Sequence, residues 1–291
     1  MVKYVGSVYR PPSEANSLII QATLGCNHNR CTFCGSYLEK PFTIRSIEEI
    51  REDLEDASRM GPVTRIFLAD GDALCIPQRR LVEILRAVIE FFPSVERIGI
   101  YANAKNILRK SLEELKVLRS LRLGIVYMGV ETGDRDLLEK IRKGATYEQM
   151  VEAGRRIKDA GIVLSVTVLL GIGGVEGSRR HAHETARILT DIDPDYVGAL
   201  SVILVPGTDL HKDHLEGRFT LPDPFGLIEE LKIMVEESSF THCVFRSNHA
   251  SNYLPVKATL PQDKEEIVLA IDRVLRSADS ARLRPEFLRA L

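Results

Sequence analysis

No apolar run in this 291-residue sequence approaches the ~20 residues that a bilayer-spanning helix needs. The start, Met1-Val2-Lys3-Tyr4-Val5-Gly6, lacks the apolar core of a secretory signal. Charge of one sign is missing too. Thirty-nine basic side chains face 41 acidic ones for a net −2, which weighs against a protein that holds long nucleic acid by phosphate neutralisation. No linker rich in Pro, Gly or Ser divides the chain, and no segment is of low complexity. The expectation is a soluble, cytoplasmic protein with one domain, a core over residues 1–205 and a C-terminal extension over 206–291 packed on it. A composition of 44% apolar and 27% charged residues suffices for a sizeable core.

Cysteine is scarce but not scattered. Of five, three fall within nine residues: Cys26, Cys31 and Cys34. An odd, clustered set without a secretory signal does not read as a disulfide framework, which leaves metal binding or catalysis.

The remaining pattern alternates short β-branched runs with segments of helical period. Strands are expected at Leu18–Leu24, Thr64–Ala69, Arg97–Ala102, Leu123–Val130, Val163–Leu170, Tyr196–Val205 and His242–Phe245. Between them, Ser46 with Glu49, Ser111 with Glu114 and Thr146 with Gln149 mark helix starts, as do Pro77, Pro224 and Pro261. Strands and helices at this spacing imply right-handed βαβ units and a parallel sheet. The expected fold is α/β, a partial (βα)6 TIM-like barrel, with an open doubly wound sheet as the other arrangement.

In either architecture the functional loops lie at the carboxyl ends of the strands. Read in order, those ends carry the cysteine loop, Asp70-Gly71-Asp72, Asn103, Glu131-Thr132-Gly133, Gly171-Ile172-Gly173-Gly174 and Pro206-Gly207-Thr208. Most of the glycine and carboxylate signals of the chain sit there.

Three thiolates in one irregular loop suit an iron–sulfur cluster or zinc. His28 offers zinc a fourth ligand, but zinc sites of this kind draw on two separated knuckles and no second one exists. His28 is expected to be a solvated loop residue or a neighbour that tunes the cluster. The C-x4-C-x2-C spacing also matches three ligands of a plant-type [2Fe–2S] ferredoxin, with Cys75 as the nearest fourth. A ferredoxin, however, would not spend most of its length on a βα repeat. A non-catalytic iron–sulfur or zinc protein therefore stands as the alternative to an enzyme.

The loop Gly25-Cys26-Asn27-His28-Asn29-Arg30-Cys31-Thr32-Phe33-Cys34 resembles that of the radical S-adenosylmethionine (radical SAM) superfamily, one residue longer at its first spacing. The resemblance spans roughly residues 17–205. It implies that Cys26, Cys31 and Cys34 ligate three irons of one [4Fe–4S] cluster and leave the fourth to the methionine end of S-adenosylmethionine (SAM). By the same resemblance Phe33 packs near the adenine. Gly71 and Asp72 stand where the family has its Gly-Gly-Glu-Pro motif and would seat the methionyl amino group. Glu131 and Thr132 would meet the ribose or the amino-acid end, and Gly171 and Gly173 would let backbone approach the adenine. The lead-in Tyr9-Arg10-Pro11-Pro12-Ser13-Glu14-Ala15, together with Asn29 to Cys34, is similar to a prokaryotic group of the coproporphyrinogen-oxidase and methylthiotransferase type. The implied activity is cleavage of SAM to a 5′-deoxyadenosyl radical that acts on a small-molecule or peptide substrate. The implied partner is an external one-electron donor of flavodoxin or ferredoxin type.

Other residues are read more plainly. Gly171-x-Gly173 lacks the third glycine of a dinucleotide fingerprint. Cys75 and Cys243 cannot complete a second cluster, and Cys243 is expected to be core filler. Arg142 and Lys143 could by the same resemblance meet the SAM carboxylate, but they equally suit a helix C-terminus. His181, His183, His211 and His214 are expected at surface positions. The polar run Arg246 to Tyr253 is an ordinary loop or a substrate-facing one.

Overall fold

The computed structural model describes residues 3–290, so Met1 and Val2 of the expected start lie outside the described residues. The strands are β1 (Leu18–Gln21), β2 (Thr23–Leu24), β3 (Thr43–Ile44), β4 (Arg65–Ala69), β5 (Arg97–Ala102), β6 (Leu123–Glu131), β7 (Val163–Leu170), β8 (Tyr196–Ser201), β9 (Cys243–Arg246) and β10 (Lys257–Leu260). The helices are α1 (Ile47–Ser58), α2 (Gln78–Phe91), α3 (Ala104–Leu108), α4 (Leu112–Ser120), α5 (Arg135–Lys140), α6 (Tyr147–Asp159), α7 (Gly174–Ile192), α8 (Asp209–Leu215), α9 (Pro224–Glu237) and α10 (Lys264–Ser277). Among the described residues no helix is long and apolar enough to cross a membrane.

Every expected strand forms, with adjusted ends. The run Leu18–Leu24 is two strands, because its last two residues turn away to pair antiparallel with Thr43 and Ile44. The strand expected as far as Val205 stops at Ser201, and the chain then turns through Val205 to Thr208. The four-residue β10, flanked by Pro255 and Pro261, is too short to stand out by periodicity.

The chain forms two compact units. The first gathers the chain up to Asn29, Ser36–Met128 and Ala153–Leu164; the second gathers Arg30–Gly35, Gly129–Glu152 and Ser165 onward. In the first, β1, β4, β5 and β6 pair in parallel, with Ile20 beside Leu68, Leu68 beside Ile100 and Ile100 beside Val126. Capping boxes at Ser46–Glu49 and Ser111–Glu114 start α1 and α4 by satisfying orphan N–H groups at each N-terminus. One face of the strands carries Phe67, Tyr101 and Tyr127 in edge-to-face contact. Glu14, fully buried, accepts from Tyr127 Oη (2.5 Å), Arg97 (2.6 Å) and Ser17.

In the second unit β7 pairs with β8 and β8 with β9 in parallel, and β10 closes the edge antiparallel to β9. Burial alternates along β7 and β8, so one face packs under helices while Ser165, Thr167, Gly198 and Leu200 on the other are only half-buried. Cys243 on β9 is fully buried, in keeping with a core role. The polar run after β9 is spent on the fold. Ser251 Oγ accepts the Ser201 amide (3.1 Å), and Asn252 bonds Ser201 Oγ (2.8 Å) and the Ala199 carbonyl (2.7 Å).

Candidate functional site

Parallel pairing delivers the loops after β1, β4 and β5 to one end of the first unit. Gly25 opens the cysteine loop at a φ of +69°, a left-handed conformation that favours glycine. Its amide donates to Asp70 Oδ2 (3.2 Å), which also accepts from Gln21 (3.2 Å) and Lys40 (3.0 Å). Asp70 is fully buried. Burial pushes its carboxyl up, against the opposing pull of Lys40 and of the Gly25 and Gln21 bonds. The next residue, Gly71, donates its amide back to the Gly25 carbonyl (3.2 Å). A Cβ on Gly71 would stand 2.7 Å from Cys26 Cβ and 2.8 Å from the Tyr37 ring, so only glycine lets this loop lie against Cys26.

Asp72 follows at the same strand end, against the loop after β5. It is buried, and it accepts the Asn103 amide (3.2 Å) and Asn106 Nδ2 (2.6 Å). Although it precedes the short turn Ala73–Cys75, it makes no capping bond there, so the helix-cap alternative gives way to an anchor on the end of β5. Cys75 follows. Burial, then the charges of Asp72 and Cys26, push its thiol up to about 12, which keeps it protonated. His28 is a loop residue with Nδ1 3.2 Å from Lys105 Nζ.

The second unit holds the rest of the cysteine loop. Thr32 donates its amide to the Ile141 carbonyl (3.1 Å) and accepts from Leu210 (2.9 Å), and Cys34 closes a turn onto the Cys31 carbonyl (3.2 Å). Phe33 packs on an apolar cluster that includes Ile141, Leu169, Ile172 and Val202. A Cβ on Gly35 would meet Val205 at 2.4 Å.

At the end of β6, Glu131 sits at a φ of +67° and pairs with Lys143 at 2.7 Å, both nearly buried. Burial is the largest influence on the Lys143 ammonium and lowers it. Glu131, and then the Cys31 and Cys34 sulfurs, outweigh burial and hold it above the ordinary lysine value. Lys143 therefore lies past the end of α5 as a nearly buried cation paired with Glu131, within electrostatic influence of Cys31 and Cys34. Arg142 turns outward to an exposed pair with Asp209 (2.8 Å).

Thr132 is fully buried, with its hydroxyl 2.8 Å from His181 Nδ1 and accepting the Asp134 amide (3.1 Å). This corrects the surface reading of His181, which lies wholly inside α7; burial lowers its ring to about 4, so it is neutral at physiological pH. His183, two residues on, is exposed and meets Glu237 at 2.7 Å. Gly171 adopts a φ of +85°, and its amide donates to Glu230 Oε2 at 2.6 Å. Glu230 was not singled out by sequence reasoning, because one glutamate in the helical run of α9 carries no distinguishing signal. Gly173 lies against His181 and Gly177.

No disulfide joins any of the five cysteines, and among the described residues no group of three or more His, Cys, Asp or Glu side chains is arranged to hold a metal ion. Cysteine is nevertheless the donor type that iron–sulfur clusters take. Glycine keeps space at Cys26, and the Lys143 ammonium lies within electrostatic influence of Cys31 and Cys34.

The Radical SAM superfamily pattern matches residues 20–186, more than half of the chain. The chain belongs to the radical SAM superfamily. It is 28% identical over 213 residues to a tRNA-2-methylthio-N(6)-dimethylallyladenosine synthase of Dehalococcoides mccartyi (strain CBDB1), covering 70% of this chain and 49% of that one. It thus spans about half the length of the curated relatives it matches. Among solved structures it resembles methylornithine synthase (PylB), at 22% identity and a TM-score of 0.54, over 77% of this chain and 63% of the other. It also resembles the radical SAM methyltransferase TsrM from Kitasatospora setae, at 19% identity and a TM-score of 0.57, over 70% and 39%. These likenesses establish the fold class as α/β of the partial (βα)6 barrel type.

Proposed function

We propose that the chain is an enzyme that binds one [4Fe–4S] cluster through Cys26, Cys31 and Cys34 and cleaves SAM reductively. The observation that carries this reading is the setting of the thiols: Gly71 leaves Cys26 uncrowded, and Cys31 and Cys34 lie within electrostatic influence of the Lys143 ammonium. When bound, the cluster supplies one electron to the sulfonium, whose S–C5′ bond breaks to leave methionine and a 5′-deoxyadenosyl radical. The chain's own residues bind and orient. Phe33 offers an apolar face to the adenine, and the backbone of Gly71, Gly171 and Gly173 allows close approach. Glu131 stands at the amino-acid or ribose end, held by Lys143, while Asp72 and Thr132 support their loops from inside. The substrate class is a small molecule or peptide. A near-neutral chain without a basic excess is poorly suited to gripping RNA, although one relative is named for a tRNA product. Beyond Cys26, Cys31 and Cys34 only two cysteines remain, too few for a second three-cysteine cluster, so one cluster per chain is expected. An external flavodoxin- or ferredoxin-type protein delivers the electron, in the cytoplasm.

Anaerobic reconstitution tests the reading. About four irons per chain, with an electron paramagnetic resonance signal that shifts on adding SAM, is the expected result. Two irons or one zinc would move the chain to the non-catalytic alternative.

A further inference from the structure

Gly171 is gripped from two sides by one helix. Leu227 and Glu230, three residues apart and so on one face of α9, both reach it. Leu227 Cδ2 lies 2.6 Å from where a Gly171 Cβ would stand, and Glu230 Oε2 accepts the Gly171 amide at 2.6 Å. The other Glu230 oxygen accepts from Ser178 Oγ of α7, also at 2.6 Å. One turn along α7, His181 places Nε2 at 3.7 Å from Glu230 Oε2 and Nδ1 at 2.8 Å from Thr132 Oγ1. Glu230 and His181 are both essentially inaccessible to solvent. A chain of buried polar groups thus runs from the loop after β7, through α9 and α7, to the loop after β6.

We propose that Glu230 is a positioning residue for SAM: its carboxylate fixes the Gly171 amide, and with His181 it sets the Gly171 and Thr132 loops as one unit. This rests on the reading that those two loops carry the cofactor. Both Glu230 oxygens accept, so a glutamine must turn an NH2 toward one of two donors. Ser178 can rotate to receive it, which leaves Gly171 on a neutral acceptor, a weaker bond than the charge-assisted one. Burial pushes the Glu230 carboxyl up to about 7, against the lowering bonds from Ser178 and Gly171. The groups that face it are Ser178 and His181 of α7 and the Gly171 amide. His181 stays neutral down to about pH 4, and the Lys232–Asp272 pair between α9 and α10 is already closed at 2.7 Å. Glu230 is therefore the group that titrates there.

The test uses the full chain with its cluster rebuilt anaerobically. It compares wild type with Glu230→Gln, and with Ser178→Ala as a second variant should the first fold poorly. Amide exchange of the segment containing Gly171 is followed by mass spectrometry without SAM, and SAM affinity by calorimetry from pH 6 to 8.5. Glu230→Gln is expected to speed Gly171 exchange and to weaken SAM binding roughly tenfold above pH 7, with iron content unchanged. The wild-type dissociation constant should weaken as pH falls through about 7, whereas the variant's should not. Unchanged exchange, or faster exchange with unchanged SAM affinity and pH profile, would overturn the proposal. A wild-type chain that binds iron but no SAM would instead overturn the reading of the loops, while the exchange measurement still reports on the Glu230–Gly171 bond.

Discussion

Replacing Asp72 by asparagine separates a residue at the rim from one inside. Its carboxylate accepts the Asn103 amide (3.2 Å) and Asn106 Nδ2 (2.6 Å), while Asn106 Oδ1 accepts from Arg109 (3.1 Å). An asparagine at 72 has one acceptor oxygen, so one of the two donors meets an NH2. Flipping Asn106 to present its oxygen to residue 72 turns its NH2 onto the Arg109 guanidinium. In either arrangement a donor opposes a donor. An unmet buried group costs about 1–3 kcal/mol, and the surviving bond loses its charge assistance, so the variant should lose roughly 2–4 kcal/mol. For a chain of this size that is a fall of about 4–8 °C in melting temperature. Thermal unfolding of the iron-free protein measures it without recourse to any cofactor. The rim register read from sequence makes the opposite prediction: SAM binding weakened about ten- to hundredfold by a lost charged contact, with stability unchanged. A melting temperature within about 1 °C of wild type would refute the internal-anchor account.

Cys26→Ala, Cys31→Ala and Cys34→Ala should each lose the four-iron cluster and SAM cleavage, measured by iron and sulfide analysis; full retention in any one removes that ligand. Gly71→Ala should keep the fold yet lose cluster retention, because its Cβ would displace Cys26 from 2.7 Å; circular dichroism with iron content checks both halves. Glu131→Gln leaves Lys143 as a nearly buried cation without its carboxylate and should cost about 3 kcal/mol in chemical denaturation. The Glu230 carboxyl keeps its proton up to about pH 7 when folded, but only to its ordinary 4.5 when unfolded, so its contribution to stability falls as pH rises between those values. His181, lowered to about 4 from 6.5, loses stability in the other direction, as pH falls. The two slopes nearly cancel in the wild type. Between pH 5 and pH 8, Glu230→Gln should therefore gain about 3 kcal/mol relative to it, read as a difference of urea midpoints.

Much of this protein is legible along the chain because the signals are local. Ser46–Glu49 and Ser111–Glu114 close capping boxes within four residues, and the β-branched runs become strands wherever they are long enough to show a period. Cys26, Cys31 and Cys34 are recognisable because their spacing is itself the chemistry. The tertiary structure alone decided the groups whose partners lie far along the sequence. His181 has the same local surroundings as His183, yet one is sealed inside and the other exposed. The difference is the face of α7 each occupies, with Thr132 and Glu230 packed 49 residues away on either side of His181. Lys143 looks like a helix-end cation until the chain reversal after α5 turns it onto Glu131. Asp72 looks like a helix cap, but the end of β5, 31 residues on, holds its carboxylate instead. Periodicity reports which residues are apolar. Where a buried charge goes depends on which distant donor the fold brings within about 3 Å of it, because a charge taken out of water must find such a partner.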